Sequence, residues 1–506
     1  MNLNGWKRSI LVASLVVMAL LGSRPWPVRS AEPPQGPDSF KYFGSESCNL
    51  CHGQDSANPK SFKESSKFIR LDEYVIWQNQ DKHSVAYTNL TTERGRRMAS
   101  LLHVEDVTRP EVGCLGCHSA SVAERTNRQN VAETFKVSEG VSCENCHGPY
   151  SGWAAAHQDS SFRTRAPADW ARVGFTDLRT PQGKAEKCLS CHIGNVAEGK
   201  VVTHEMYAAG HPPLPSIDVA TFANAIPRHW YLPAERADPK VRKELGYQQG
   251  QLDQTRLAMV SAAVALRTSL KLIADEARTP ARTGAPGQSW PDYARFDCWT
   301  CHHDLKRDGW RQARIDRDGP PGRVPVSEWP RTLVDLGIDR LAMTDPAAGA
   351  LRADLKAHEQ ALRDQANLRP FGRKEAIARA AEDYARSTEI LIQKLGEAKF
   401  DQSVALPLLR KLVERAETST PDYDEARHVG WAIAVLVDDL AGALPRFEEI
   451  AAVLNQLDKG LKLKLPSGRN YEIEAQMDRA LAVIGDYDPA TFRAQMAELR
   501  ALLPPG

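Results

Sequence analysis

Methionine and net charge are both scarce in this chain. Against 65 Lys and Arg stand 64 Asp and Glu, leaving a formal charge of +1, so no global field points to nucleic acid or to an anionic membrane. Only 8 of the 506 residues are Met, and between residues 48 and 302 they are Met98, Met206 and Met259, so thioether ligands for a metal are few. No phosphate-binding glycine loop occurs. The run His204-Glu-Met-Tyr-Ala-Ala-Gly-His211 places its second His at i+7 rather than i+4, which excludes the H-E-x-x-H zinc helix. Long apolar runs are missing too, apart from one at the N-terminus. Lys7 and Arg8 precede an apolar stretch from Ser9 to Leu21 and a small-residue zone at Val28-Arg29-Ser30-Ala31. This is the layout of a cleavable export signal over residues 1–31, and it is shorter than the roughly 20 apolar residues of a spanning helix. The mature chain is expected in the periplasm, soluble or peripherally membrane-associated.

Cysteine outside one pattern is also absent. All 10 cysteines fall in C-x-x-C-H units: Cys48-Asn-Leu-Cys51-His52, Cys114-Leu-Gly-Cys117-His118, Cys143-Glu-Asn-Cys146-His147, Cys188-Leu-Ser-Cys191-His192 and Cys298-Trp-Thr-Cys301-His302. Two thiols at i and i+3 can add to the two vinyl groups of one haem while the adjacent imidazole reaches the iron. Disulfides or zinc knuckles need paired cysteines, but neither needs a His after every pair. Five covalent haems c are therefore expected, with His52, His118, His147, His192 and His302 as one axial ligand each.

What fills the opposite position separates an electron carrier from a substrate-binding haem. Seven further histidines lie in the haem-bearing stretch: His83, His103, His157, His204, His211, His229 and His303. His83 follows Trp77, whose ring could pack on a porphyrin. His157, ten residues after His147, can serve a haem stacked beside the third. His204 and His211 suit two different irons. His303 cannot cap the iron of its neighbour His302, because adjacent helical residues point about 100° apart; it could cap another. His229, in Pro227-Arg-His-Trp230, is comparable, whereas His103 ends an expected helix starting near Thr91 and reads first as a surface residue or a support behind a ligand, and only second as a ligand. Downstream, His428 shares a helical face with Trp431 and Val435 and reads as a buried, hydrogen-bonded core residue. Neither it nor His358 is counted as a ligand.

The expected fold is mostly α: a loop-rich multihaem cytochrome c domain over residues 40–315, then an α-helical C-terminal bundle over 330–506. Leu252, Met259, Ala263, Leu266, Leu270 and Ile273 lie on one face of a long helix from about 251 to 277, expected to brace the haems. After the break Asp318-Gly-Pro-Pro-Gly-Arg-Val-Pro325, apolar residues recur at i+3 and i+4 from Ile377 to Leu395, with Gly396 as the expected C-cap. Similar stretches span 404–416, 424–440, 446–457, 473–484 and 489–503.

The run Gly140-Val-Ser-Cys143-Glu-Asn-Cys146-His147-Gly-Pro149, with the Trp77/His83 and His204/His211 runs, resembles the multihaem cytochrome family that includes cytochrome c554, octahaem tetrathionate reductase and hydroxylamine oxidoreductase. The likeness covers roughly residues 40 to 310. It implies a periplasmic helical protein with closely stacked, mostly bis-histidine haems passing electrons between redox protein partners. Some relatives instead catalyse at one five-coordinate haem, and by resemblance to c554 the Cys114/Cys117 motif would be the first place to look for one. The five motifs here differ from the four of c554 proteins and the eight of the two enzymes. There is no C-x-x-C-K variant, as a pentahaem nitrite reductase would have. The leading expectation is thus an electron-transfer cytochrome. The alternative is an oxidoreductase for a small nitrogen or sulfur compound, with a small-molecule substrate only if one haem is open. The small tetrahaem cytochromes of the c3 type, which use a C-x-x-C-H-H run, lend His303 its place among the candidates.

Pyridine haemochrome and intact mass on the exported protein should give five haems per chain, and Cys114→Ala with Cys117→Ala should give four. A zinc or disulfide protein would give none.

Overall fold

The computed structural model describes residues 40–53, 65–120, 130–279, 290–298, 301–302, 326–368, 371–419, 421–463 and 486–505. Among them the regular structure is helical, and β pairing is limited to isolated bridges. The expected signal segment, His303 and the 473–484 stretch lie outside the described residues.

The haem-motif half is built from short helices and turns. α1 (Glu73–Gln80) is followed by the turn that holds His83, α2 (Pro181–His192) ends in the fourth motif, and α3 (His204–Ala208) leads to His211. Its apolar clusters are small: Leu90, Ala99, Val107 and Leu115 form one, Trp153, Phe162 and Trp170 another. So little buried side-chain area over so many residues leaves much of the interior to be filled by something other than protein.

The rest is dominated by α4 (Asp253–Arg278) and a bundle of α5 (Arg331–Ala342), α6 (Pro346–Leu368), α7 (Lys374–Glu397), α8 (Gln402–Thr418), α9 (Tyr423–Asp439), α10 (Phe447–Leu461) and α11 (Pro489–Leu502). α4 is rich in Ala, at 258, 262, 263 and 265, so backbones approach it closely, and it packs most extensively on α7. Its N-terminus is capped from outside: Thr255 donates its N–H and hydroxyl to Asp439 Oδ2 of α9, at 2.7 and 2.8 Å. α2 joins the same apolar core through Ala185 and Leu189, so one core runs from the fourth haem motif to Leu503.

Three details differ from the sequence reading. α7 continues through Glu397, so Gly396 lies inside its last turn and Ala398 is the C-cap. α5 and α6, unmarked in the sequence, both form. And α4 is long and apolar enough to cross a membrane by length and composition, against the expectation that nothing beyond the N-terminal segment is; 78% of its apolar window is buried within the protein, as befits a core helix.

His428 of α9 is fully buried as expected, but neither ring nitrogen finds a hydrogen-bond partner among the described residues, and the ring sits edge-on to Trp329 at 4.7 Å. Burial pulls its pKa from 6.5 to about 3. The folded state therefore holds the neutral form while the unfolded chain protonates at 6.5. Stability is full above that value and falls by about 1.4 kcal/mol per pH unit as pH drops from 6.5 toward 3. His428→Leu should abolish that part of the acid slope in urea titrations and raise stability at pH 7 by about 1–3 kcal/mol, since an unsatisfied polar group is removed. An unchanged slope would contradict it.

Candidate cofactor-binding centre

None of the ten motif cysteines is joined in a disulfide. Several are close to a cysteine of another motif. Cys143 lies within interaction range of Cys48, Cys191 of Cys117, and Cys146 of Cys191. The first motif thus adjoins the third, the second adjoins the fourth, and the third and fourth meet. The fifth reaches the second through Tyr207, which feels the charge of Cys298 on one side and contacts His211, its ring 6.2 Å away.

Two motif imidazoles have a second imidazole beside them. His118 and His211 have ring centroids 6.4 Å apart, and His302 and His204 6.3 Å. Two imidazoles bonded to one metal through nitrogens at about 2 Å place their centroids roughly 6 Å apart, so both spacings suit a shared metal. The other three pairs are electrostatic neighbours. Burial lowers His147 to about 4, with His229 the foremost charge adding to it. Burial lowers His192 to about 4 as well, with His83 the contributing charge. His157 is lowered by burial and, further, by His52.

In six of these ten residues one ring nitrogen is tied down. Nδ1 of His118, His157, His211 and His229 faces the carbonyl oxygens of Ala86 (2.8 Å), Ala154 (2.6 Å), Pro212 (2.7 Å) and Pro227 (3.4 Å). A carbonyl only accepts, so Nδ1 carries the proton and Nε2 keeps a lone pair. His52 and His83 do the same against carboxylates, Glu73 Oε2 at 3.0 Å and Asp81 Oδ1 at 2.9 Å. Burial works to lower His83, but the Asp81 carboxylate outweighs it and raises the pKa. Oriented imidazoles beside paired thiols fit haem c.

Residues 47–148, about a fifth of the chain, match the family model of cytochrome c554 and c-prime. This segment is cytochrome c554-like. Covalent haem c and electron transfer with redox partners come with that family. No curated protein and no solved structure matches the chain.

Within the c554-like segment the glycines of the Gly-Val-Ser-Cys-x-x-Cys-His-Gly-Pro run have structural reasons. Gly140 has φ +73° and a Cβ there would stand 2.7 Å from the His83 carbonyl, which accepts from Val141 N at 2.9 Å. Gly148 has φ +89°, and its Cβ would meet the Gly174 carbonyl at 1.9 Å. Trp77 donates Nε1–H to Val141 O at 2.9 Å, so its indole fastens α1 to the third motif. Glu144, buried inside that motif, accepts from the N–H groups of Phe43, Gly44 and Tyr150 at 2.6 to 3.1 Å, binding the first motif's entry to the third.

Six of the seven sequence candidates are described; two of them face a motif imidazole and three lie within electrostatic reach of one. His103 does neither; it is exposed, past the end of the helix Glu93–Leu101, with φ +54°. His211 stands opposite His118 of the Cys114/Cys117 motif, where the family likeness suggested an open position. Glu73, Asp81 and Glu144 escaped the sequence reading. For Asp81 a signal existed, because an Asx two residues before a His is a local turn pattern whose backbone bond, His83 N to Asp81 Oδ1 at 3.0 Å, forms here.

A buried ion pair holds the fifth motif to the bundle. Arg295 Nε meets Glu276 Oε1 of α4 at 3.1 Å, with side chains 8% and 0% exposed, and Arg295 also donates to the Val202 carbonyl. Burial pushes Glu276 up to about 7 even so. Arg295→Met should cost about 3–5 kcal/mol in urea denaturation, because it strands a buried carboxylate. Adding Glu276→Leu should recover most of that loss, which a merely steric role for Arg295 would not allow.

Proposed function

We propose that the chain binds five haems c, each between two histidines, and that it is a periplasmic electron-transfer cytochrome without an open iron. The observation carrying this is geometric at two motifs, where His118 stands 6.4 Å from His211 and His302 stands 6.3 Å from His204; we extend it to His52 with His157, His147 with His229 and His192 with His83, which lie within electrostatic reach of one another. Haem c supplies one-electron chemistry. The chain's residues would hold each haem through two imidazoles, and the chain's part is to orient those rings, to keep water out, and to set spacing and order. The neighbour order of the motifs, first, third, fourth, second, fifth, leads from the chain's N-terminal motif to the one beside α4. Ligation by two imidazoles, with no thioether, favours low potentials. Carboxylates behind His52 and His83 push in the same direction, because a ligand that donates to an anion is a stronger base. Export is supported by the N-terminal basic and apolar sequence together with haem c attachment, and the enzyme reading loses its open position at the second motif to His211.

Low-temperature electron paramagnetic resonance on the oxidised protein should give five low-spin irons and no change with nitrite or hydroxylamine. His211→Ala should convert one of the five to high spin at unchanged haem content. A high-spin iron in the unaltered protein that responds to either compound would overturn the carrier reading in favour of catalysis.

A further inference from the structure

A cleft of about 530 Å³ on the surface of the haem-motif half is lined by Arg163, Thr164, Arg165, Arg179, Lys240, Lys243 and Glu244. Its charge is one-sided in a chain whose total is only +1. Glu244 lies 3.7 Å from Arg163, and Asp177 pairs with Arg179 at 3.1 Å. Lys240 and Lys243 are exposed and have no ion-pair partner among the described residues.

Behind the lining arginines lie aromatic rings. Arg179 lies over the Trp170 ring at 3.9 Å, Arg165 over Phe162 at 5.3 Å and Arg163 over Phe68 at 3.8 Å. Phe162 and Trp170 both pack on Phe175, at 5.1 and 5.8 Å. On its inner side Phe175 stacks on His147 at 5.9 Å and meets Trp153, which touches His157 at 5.0 Å. Two rings in series thus lie between the cations and His147 of the third motif, and Trp153 adds a third on the way to His157, assigned to the first.

We infer that this cleft is the docking surface for the acidic face of a redox protein that exchanges electrons through the first and third haem sites. The inference rests on the haem-ligand reading of His147 and His157. The aromatic layer keeps a small anion in the cleft from reaching either imidazole's metal-facing nitrogen, so a bound oxyanion could not react there. An electron needs only proximity. Exposed, unneutralised lysines around an open cleft steer an oppositely charged partner and hold it briefly, as a transient electron-transfer contact requires.

The test is stopped-flow reduction of the oxidised full-length holoprotein by three reductants at low and high salt. These are a photoreduced plant-type ferredoxin as the acidic protein, dithionite as a small anion, and reduced methyl viologen as a small cation. In Lys240→Glu/Lys243→Glu the low-salt ferredoxin rate should drop about tenfold and its salt dependence flatten. Lys240→Gln/Lys243→Gln should fall between, and both small reductants should stay within about twofold of the unaltered protein, the spread expected without steering. An unchanged ferredoxin rate and salt slope would overturn the proposal. So would dithionite slowing as much as ferredoxin, which would mark a small-anion site instead. Haem content and low-spin signal, measured on the same samples, report separately on ligation.

Discussion

An imidazole serves one metal well only when its other nitrogen is spoken for. At four of this chain's imidazoles that demand is met by backbone carbonyls, those of Ala86, Ala154, Pro212 and Pro227, which lie where the chain is short helices and turns rather than continuous helix. A carbonyl inside a long helix is used by the N–H four residues on. Short helices and turns are thus a condition of the site, since they free acceptors at the points where rings must be oriented. The glycines at 140 and 148 stand at the turns on either side of the third motif, and let the chain pass within contact of the His83 turn and of Gly174.

Such a half has little apolar side-chain area of its own, and its order depends on what it surrounds and what it leans on. The bundle supplies the second. α4 carries a nearly all-round buried surface, and the elements at its two ends belong to different parts of the chain: Asp439 of α9 caps its start, and Arg295, just before the fifth motif, neutralises Glu276 near its end. Arg267, midway, reaches Glu186 of α2 and Glu389 of α7. Polar ties at three levels of one helix fix the fourth and fifth motifs to a core that folds by ordinary hydrophobic packing.

The motifs and the pool of histidines were legible because their chemistry is local: a C-x-x-C-H unit is complete within five residues. Pairing was not, because His83 meets His192 and His211 meets His118 across about a hundred residues, and nothing in spacing sets that register. Helices α7 to α9 could be read from periodicity. α5 escaped because Leu333, Val334, Leu336, Gly337 and Ile338 are buried almost without a polar gap, which erases the amphipathic stripe. Gly396 misled for a simpler reason. Arg256 donates to its carbonyl, so the last turn of α7 is satisfied from α4 and has no need of a left-handed glycine to end it.

Asymmetry in charge follows from asymmetry in structure. The first and third motifs lie in the loop-built half, where only the layer of Phe162, Trp170 and Phe175 covers His147, while the fourth is backed by α4 and the bundle core. A chain of one-electron sites needs access at its ends and insulation between them. Cations gather where the cover is a few aromatic rings, and apolar helices gather where it is deep. The neighbour order of the motifs makes the first of these regions one end of the series, so a nearly neutral protein can still present a strongly polarised face where a partner must dock.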